Sequence, residues 1–190
     1  PPKTIGHGKV MPPNTKDKEV IYMYLIHMGE KVGCRLRHHS MTAQKYFIGL
    51  RSDHGWIGSN KLKSTCPTND SRAIHKLSRT ILDKFWHGEG IHQVQITALK
   101  PKSKLEQPDL FAKDDPKADR LNLAMDKIND RYGEFTLAPA VLMERSDMPN
   151  VIAPAWKPYG HRQTIVPTVE RLKSKVVESV LDPDFSDYLP

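Results

Sequence analysis

Residues 44–64, QKYFIGLRSDHGWIGSNKLKS, decide the fold. Tyr46, Ile48 and Leu50 alternate with Lys45, Phe47, Gly49 and Arg51, a period of two. That period predicts a strand over Gln44–Arg51 with one apolar face and one mixed, basic face. Ser52-Asp53-His54-Gly55 is turn chemistry. Trp56 to Ser64 then reads as the hairpin partner, with Lys61 and Lys63 projecting to the same side under an unbroken alternation.

Upstream, a helix is predicted from Asp17, because Ile21, Leu25, Met28, Val32 and Leu36 recur on one stripe of a 3.6-residue period. Gly29 and Gly33 weaken that helix slightly or allow it to pack closely on a sheet. The Arg35–His39 run places positive charge at its C-terminal end, where the helix dipole favours it. Before the helix, Ile5 to Val10 is extended and ends at Met11-Pro12-Pro13-Asn14. Downstream, Thr68-Asn69-Asp70 caps a second helix whose expected buried stripe is Ile74, Leu77, Ile81, Leu82 and Phe85. Gly88-Glu89-Gly90 stops it. Ile91 to Leu99 is the last strand, with Val94, Ile96 and Ala98 facing one way and Gln93, Gln95 and Thr97 the other.

The order is β-α-β-β-α-β, an α+β pattern. Two helices with one apolar stripe each suit one face of a four-stranded, mostly antiparallel sheet, leaving the other face wet. Lys45, Phe47, Gly49, Arg51, Lys61, Lys63, Gln93 and Gln95 then fall on that open face. Such a surface can lie along a phosphate backbone and hydrogen-bond to it without reading bases.

Charge supports this reading. Residues 1–104 carry 18 Lys and Arg against 7 Asp and Glu, a net of +11, within a 190-residue chain of net charge +7. A basic segment of that size points to a polyanion, most often nucleic acid. No apolar run is long enough to span a bilayer, and no signal peptide opens the chain, so no membrane is expected and a cytoplasmic location is. Cys34 and Cys66 form neither a metal pattern nor a disulfide framework. The initial Pro1-Pro2, without Met, suggests part of something longer. Catalytic signatures are missing: Asp114-Asp115, Asp182 and Asp184 do not cluster for two metal ions, His38-His39 and the His87/Glu89/His92 group lack zinc-helix spacing, and there is no G-x-S-x-G, P-C-x-x-C or Walker loop. No catalysis, metal or cofactor is expected in this chain.

Beyond residue 103, Lys100-Pro-Lys-Ser-Lys-Leu-Glu reads as a mobile linker. Gln107-Pro108-Asp109-Leu110-Phe111 follows, an extended peptide with one amide and two adjacent apolar anchors. Asp115-Pro116 starts a helix carrying Leu121, Ala124, Met125 and Ile128, stopped by Tyr132-Gly133. Phe135–Met143 and Val151–Trp156 read as extended, and a last helix is expected from Pro167 to Leu181. The expected division is thus 1–103, a linker over 104–114, and a mixed, partly irregular extension over 115–190.

Four pieces taken in order carry a family resemblance: Ile5-Gly-His7-Gly-Lys9, the helix ending Arg35-Leu36-Arg37, the strand beginning Ala43-Gln44-Lys45, and Ala73-Ile-His-Lys-Leu77. Together they resemble the little-finger domain of Y-family translesion DNA polymerases. Arg120 to Asn129, Arg131-Tyr132-Gly133 and Trp156-Lys157 resemble the C-terminal extension of UmuC-like members, to about residue 165. The resemblance implies the C-terminal part of an error-prone polymerase of the SOS DNA-damage response, gripping duplex or primer-template DNA. Lys45, Arg51, Lys61 and Lys63 would then contact phosphates, with the first-strand backbone around His7–Lys9 and, more weakly, Gln93 and Gln95. Gln107, Leu110 and Phe111 match the Q-x-x-L-F peptide that docks bacterial proteins on the sliding clamp. An accessory SOS protein is a further implied partner. The catalytic carboxylates, and the Mg2+ they would bind, belong to the parent's palm. A non-catalytic clamp adaptor and an RNA-recognition-like module are the alternatives; Trp56–Ser64 lacks the RNP1 aromatics of the latter.

Overall fold

The structure, a computed structural model, describes residues 2–104 and 116–142, with the backbone alone at 59–61 and 116. Gln107, Leu110 and Phe111, the Val151–Trp156 segment and the helix expected over Pro167–Leu181 lie outside the described residues.

The first strand, β1 (Thr4–Thr15), is longer than its sequence signal and runs through Pro12 and Pro13. Among the described residues it pairs only with β4, at the sheet's edge, where missing N–H donors are tolerated. The register passes from Val10↔Gln93 to Thr15↔Ile91, so residues 11–14 form a bulge, with Asn14 at φ 58 and Met11 buried. Asp17 then caps α1 (Lys18–His38), its Oδ1 accepting from the Glu19 and Val20 amides at 2.9 and 3.2 Å. The stripe Ile21, Leu25, Met28, Val32 and Leu36 is fully buried, each such side chain stabilising the fold by roughly 1.5–3 kcal/mol.

Strand β2 (Met41–Ser52) turns at residues 53 and 54 into β3 (Gly55–Thr68), and Asp70 caps α2 (Ser71–Phe85). Within α2, Ile74, Ser78, Ile81 and Leu82 are buried. Phe85, expected in the stripe, is the last helical residue and stays 42% exposed. Strand β4 (Ile91–Leu99) completes an antiparallel sheet in the order β1–β4–β2–β3, with the two-residue β5 (Lys102–Ser103) paired to the start of β2.

Both helices cover one face, α1 against β1, β4 and β2 and α2 against β3 and β2. Tyr46, Ile48, Leu50, Val94, Ile96 and Ala98 are fully buried beneath them. Tyr46 is satisfied inside by hydroxyl bonds to the carbonyls of Ala43 and Thr68 at 3.1 and 2.9 Å. Gly29 and Gly33 serve the contact between helices rather than one with the sheet. A Cβ at Gly29 would stand 2.9 Å from His75 Cδ2, and one at Gly33 would strike Ser71 Oγ.

Helix α3 (Pro116–Tyr132) departs from its apolar stripe. Ala118, Asn122 and Asp126 are its buried positions, whereas Leu121 is 51% exposed. The compact unit containing the sheet runs to Asp126 and a second begins at Lys127, beyond the boundary expected near 114. Residues 135–142 of the Phe135–Met143 segment expected to be extended form turns and a short helical turn over 140–142, with Phe135 at φ 62 and Leu142 buried. Among the described residues no helix is long and apolar enough to cross a membrane.

Candidate nucleic-acid interface

Register shows which side chains share the open face. Tyr46, Ile48 and Leu50 are buried, so Lys45, Phe47, Gly49 and Arg51 point the other way. Directly opposite residues share a face in an antiparallel pair. Lys45↔Lys63 and Arg51↔Trp56 on β3, with Phe47↔Thr97, Gly49↔Gln95 and Arg51↔Gln93 on β4, therefore extend it. On β1 the face continues through Gly6, Gly8 and Val10, opposite Thr97, Gln95 and Gln93.

Of the expected site residues, Lys45, Arg51, Lys63, Gln93 and Gln95 thus come together. Lys45, Arg51 and Lys63 are exposed. Gln93 and Gln95 are half-buried, and the Gln95 amide donates to Thr97 Oγ1 at 3.1 Å. The side chains of His7 and Lys9 do not join them. His7 pairs with Ile96 and Lys9 with Val94, both fully buried, so the two side chains turn toward the helix-covered side. Only the backbone of that strand, at Gly6 to Lys9, adjoins the open face. Lys61 lies where β3 holds one residue more than β2 between Tyr46↔Leu62 and Ile48↔Ser59; its side chain is outside the described atoms.

That extra residue has a consequence for Trp56. Unbroken alternation from Lys63 would send Trp56 to the helix side; the bulge reverses the parity and brings it onto the cationic face. Sequence reasoning missed Trp56 for this reason, although Gly58 inside the strand is the kind of residue that marks a bulge. Phe47, which the alternation of β2 also puts on this face, meets Trp56 edge-on.

Electrostatically the face is one-signed. The acidic residues of the sheet-bearing unit up to residue 104 lie elsewhere: Asp17 and Asp70 at helix caps, Glu19, Glu30 and Asp83 on helices, and Asp53 and Glu89 in turns. None stands at an open-face strand position. Lys45 and Arg51, six residues apart on β2, span about 20 Å by strand rise, or roughly six base pairs of duplex.

Behind the sheet, the basic end of α1 acts structurally. Arg35 Nη1 donates to the Gly6 carbonyl at 2.8 Å, bracing the edge strand. Arg37 donates to both Asp126 oxygens at 2.6 and 2.8 Å and to the Asn69 carbonyl at 2.9 Å, with 8% and 9% of the paired side chains exposed. Burial opposes the Arg37 cation, but the hydrogen bond and charge of Asp126 outweigh it and raise its pKa. Burial likewise works to raise the pKa of Asp70, yet hydrogen bonds from Arg72, its charge and the Asn122 amide hold it below the usual carboxylate range. Cys34, His38 and Asp126 bring one ligand atom each within 4.8 Å of one another. With both Asp126 oxygens held by Arg37, this contact ties α3, past its middle, to α1, and the cluster lacks a free carboxylate for a metal.

Comparison with known proteins places the chain in a family. Residues 2–110 match the model of the impB/mucB/samB family C-terminal domain. DNA polymerase IV 2 of Halalkalibacterium halodurans is 24% identical over 142 residues, covering 73% of this chain and 35% of that protein. DNA polymerase IV of Moorella thermoacetica is 28% identical over 145 residues, with coverages of 73% and 35%. The putative UV-damage repair protein UvrX of Bacillus subtilis is 23% identical over 142 residues, with coverages of 73% and 34%. The chain spans about a third of the length of these curated relatives. A solved complex of beta-clamp processivity factor and the little finger domain of PolIV aligns with 57% of this chain and 98% of that one, at 12% identity and a TM-score of 0.45. Since the domain match covers more than half of its length, the chain belongs to the impB/mucB/samB family and carries that family's C-terminal domain over residues 2–110.

Proposed function

We propose that this chain is the DNA-gripping and clamp-tethering region of an error-prone translesion DNA polymerase. The observation that carries the reading is the acid-free open face, on which Lys45, Lys63 and Arg51 stand together by strand register. Cations on a rigid sheet neutralise phosphates and release counterions, which gives affinity without base readout. A polymerase that must accept damaged and mismatched duplex needs that indifference to sequence. The backbone at Gly6–Lys9 adjoins the same face, and Gln93 and Gln95 supply hydrogen bonds rather than charge.

Gln107, Leu110 and Phe111 tether the region to a sliding clamp, the glutamine amide setting register and the two apolar side chains filling a pocket. The Q-x-x-L-F pattern supports this, as does its place directly after the sheet domain. Nucleotidyl transfer belongs to the part of the longer relatives that this chain does not span. Asp17 and Asp70 cap helices and Asp126 neutralises Arg37, so these carboxylates do not fit the paired Mg2+ site such chemistry requires.

The test is duplex binding by fluorescence anisotropy across a salt series. Lys45→Ala, Arg51→Ala and Lys63→Ala together should make the negative slope of log K against log salt shallower by about 3, near 0.9 for each phosphate no longer neutralised. Lys76→Ala with Lys84→Ala, exposed cations on the helix side, should leave it nearly unchanged. Equal loss from both sets would refute the assigned face. Leu110→Ala with Phe111→Ala should abolish capture by purified clamp while duplex binding persists; undiminished capture would refute the tether.

A further inference from the structure

Phosphate contact leaves one feature of the open face unexplained. Trp56 is 41% exposed there, beside Arg51 at one end of the face. Phe47 meets it edge-on, with ring centroids 5.9 Å apart and planes at 72°. The Arg51 guanidinium carbon lies 5.5 Å from its centroid. A Cβ on Gly49 would come within 2.6 Å of Phe47 Cζ and 2.8 Å of Trp56 Cε3, so both rings rest over that bare backbone. Packing on Gly49 fixes the indole in place without covering it. Asp53, in the adjoining turn, lies 3.6 Å from His92.

Position narrows the ligand. Trp56 pairs with Arg51 at the turn end of the β2–β3 hairpin, about 20 Å along β2 from the Lys45–Lys63 pair. A duplex lying on the cations offers phosphate and sugar, and its base faces are already stacked on one another. An aromatic ring at the end of that track finds a free π-face only where pairing has stopped. The charge of the face as a whole, Lys45 and Lys63 at one end and Arg51 beside the indole, suits a polyanion and disfavours an acid-poor partner protein. We propose that Trp56, braced by Phe47 and Arg51, stacks on an unpaired nucleobase, so that the face takes duplex continued by a single strand. This rests on the duplex reading and adds a second, separable contact.

The experiment compares three oligonucleotides bound to the full chain at fixed salt, by anisotropy. They are a blunt duplex, the same duplex with a short tail of unpaired thymidines, and the same with a tail of abasic residues. The thymidine tail should tighten binding roughly tenfold over the blunt duplex, within the range for one base–aromatic stack, and the abasic tail should not. Trp56→Ala should remove this ratio and Trp56→Phe should keep most of it. Should Trp56→Ala unfold by circular dichroism, Trp56→Leu covers Gly49 without a π-face and must also lose the ratio. Equal ratios for thymidine and abasic tails, no gain from either, or a gain that survives the alanine or leucine change would each overturn the proposal. If the blunt duplex fails to bind while the thymidine tail still binds through Trp56, the phosphate track falls and the stacking platform stands.

Discussion

His75 and Glu30 meet where α2 packs on α1, and their contact sets how stability responds to acid. His75 Nε2 lies 3.3 Å from Glu30 Oε1, with 13% and 15% of the side chains exposed. The distance is that of an ion pair, yet Nε2 has no hydrogen-bond partner among the described residues. Burial pushes His75 down to about 4, against the hydrogen bond with the Ile26 backbone and the charge of Asp70, so the ring is neutral at pH 7 and the pair is not ionic. Burial also raises Glu30, over the Ser71 hydrogen bond and the Arg37 charge that lower it. The signs oppose. Unfolded chains protonate His75 near 6.5 while the native state waits until about 4, so its contribution is complete above 6.5 and is lost as pH falls toward 4. Taken alone that loss reaches about 2.5 kcal/mol at about pH 4.5. Glu30, with its pKa raised, gains stability as pH falls, so the wild-type loss is smaller. Urea unfolding of wild type, His75→Gln and Glu30→Gln from about pH 7.5 to about pH 4.5 separates the two. His75→Gln should start less stable from lost packing, and its gap to wild type should narrow by about 1–2.5 kcal/mol on acidification. Glu30→Gln should gain stability at neutral pH and lose it more steeply in acid. A His75→Gln curve parallel to wild type to within about 0.5 kcal/mol would refute the reasoning.

Asp126→Asn leaves the Arg37 cation buried without its counter-charge and should cost roughly 3 kcal/mol in chemical denaturation, whereas Arg37→Met with Asp126→Leu should recover much of that. Gly33→Ala places a Cβ against Ser71 Oγ, 3.1 Å from Arg37 Nη1 and 3.3 Å from the Asn69 carbonyl. It should destabilise by about 1–3 kcal/mol, read as a lower urea midpoint, because none of these hydrogen-bonded groups can retreat without losing a partner.

Most of the sheet domain was legible because two periods rarely conflict. Tyr46, Ile48 and Leu50 alternate cleanly, and the α1 stripe from Ile21 to Leu36 is buried without exception. Legibility failed where one residue changes parity or a polar group replaces an apolar one. The extra residue in β3 hid Trp56, and the bulge in β1 let the strand pass prolines that read as its end. For α3 the apolar stripe was misleading, since the buried side is Ala118, Asn122 and Asp126. That face is set by Arg37 and Asp70, far away in sequence, and no local pattern announces a buried arginine. His7 and Lys9 carried a family motif, but which side of the edge strand they take follows from pairing with β4.

The chain's charge alone does not support the proposed nucleic-acid surface; its distribution does. Excess cations scattered over a domain would give weak, undirected attraction, easily screened. Here the basic residues divide by role. Arg35 and Arg37 are consumed inside, holding β1 and α3, and Lys18 and Arg79 neutralise Asp83 and Glu19 on the helix side. Lys45, Arg51 and Lys63 are left on a face whose acidic competitors have been placed at helix caps, on helices and in turns. The same alternation that buries Tyr46, Ile48 and Leu50 pushes Lys45 and Arg51 outward. Any substitution that slips β2 by one residue would exchange core and interface together. The fold and the proposed binding face are therefore specified by one register, and the bulge at residues 60–61 lets an aromatic share that register with the cations.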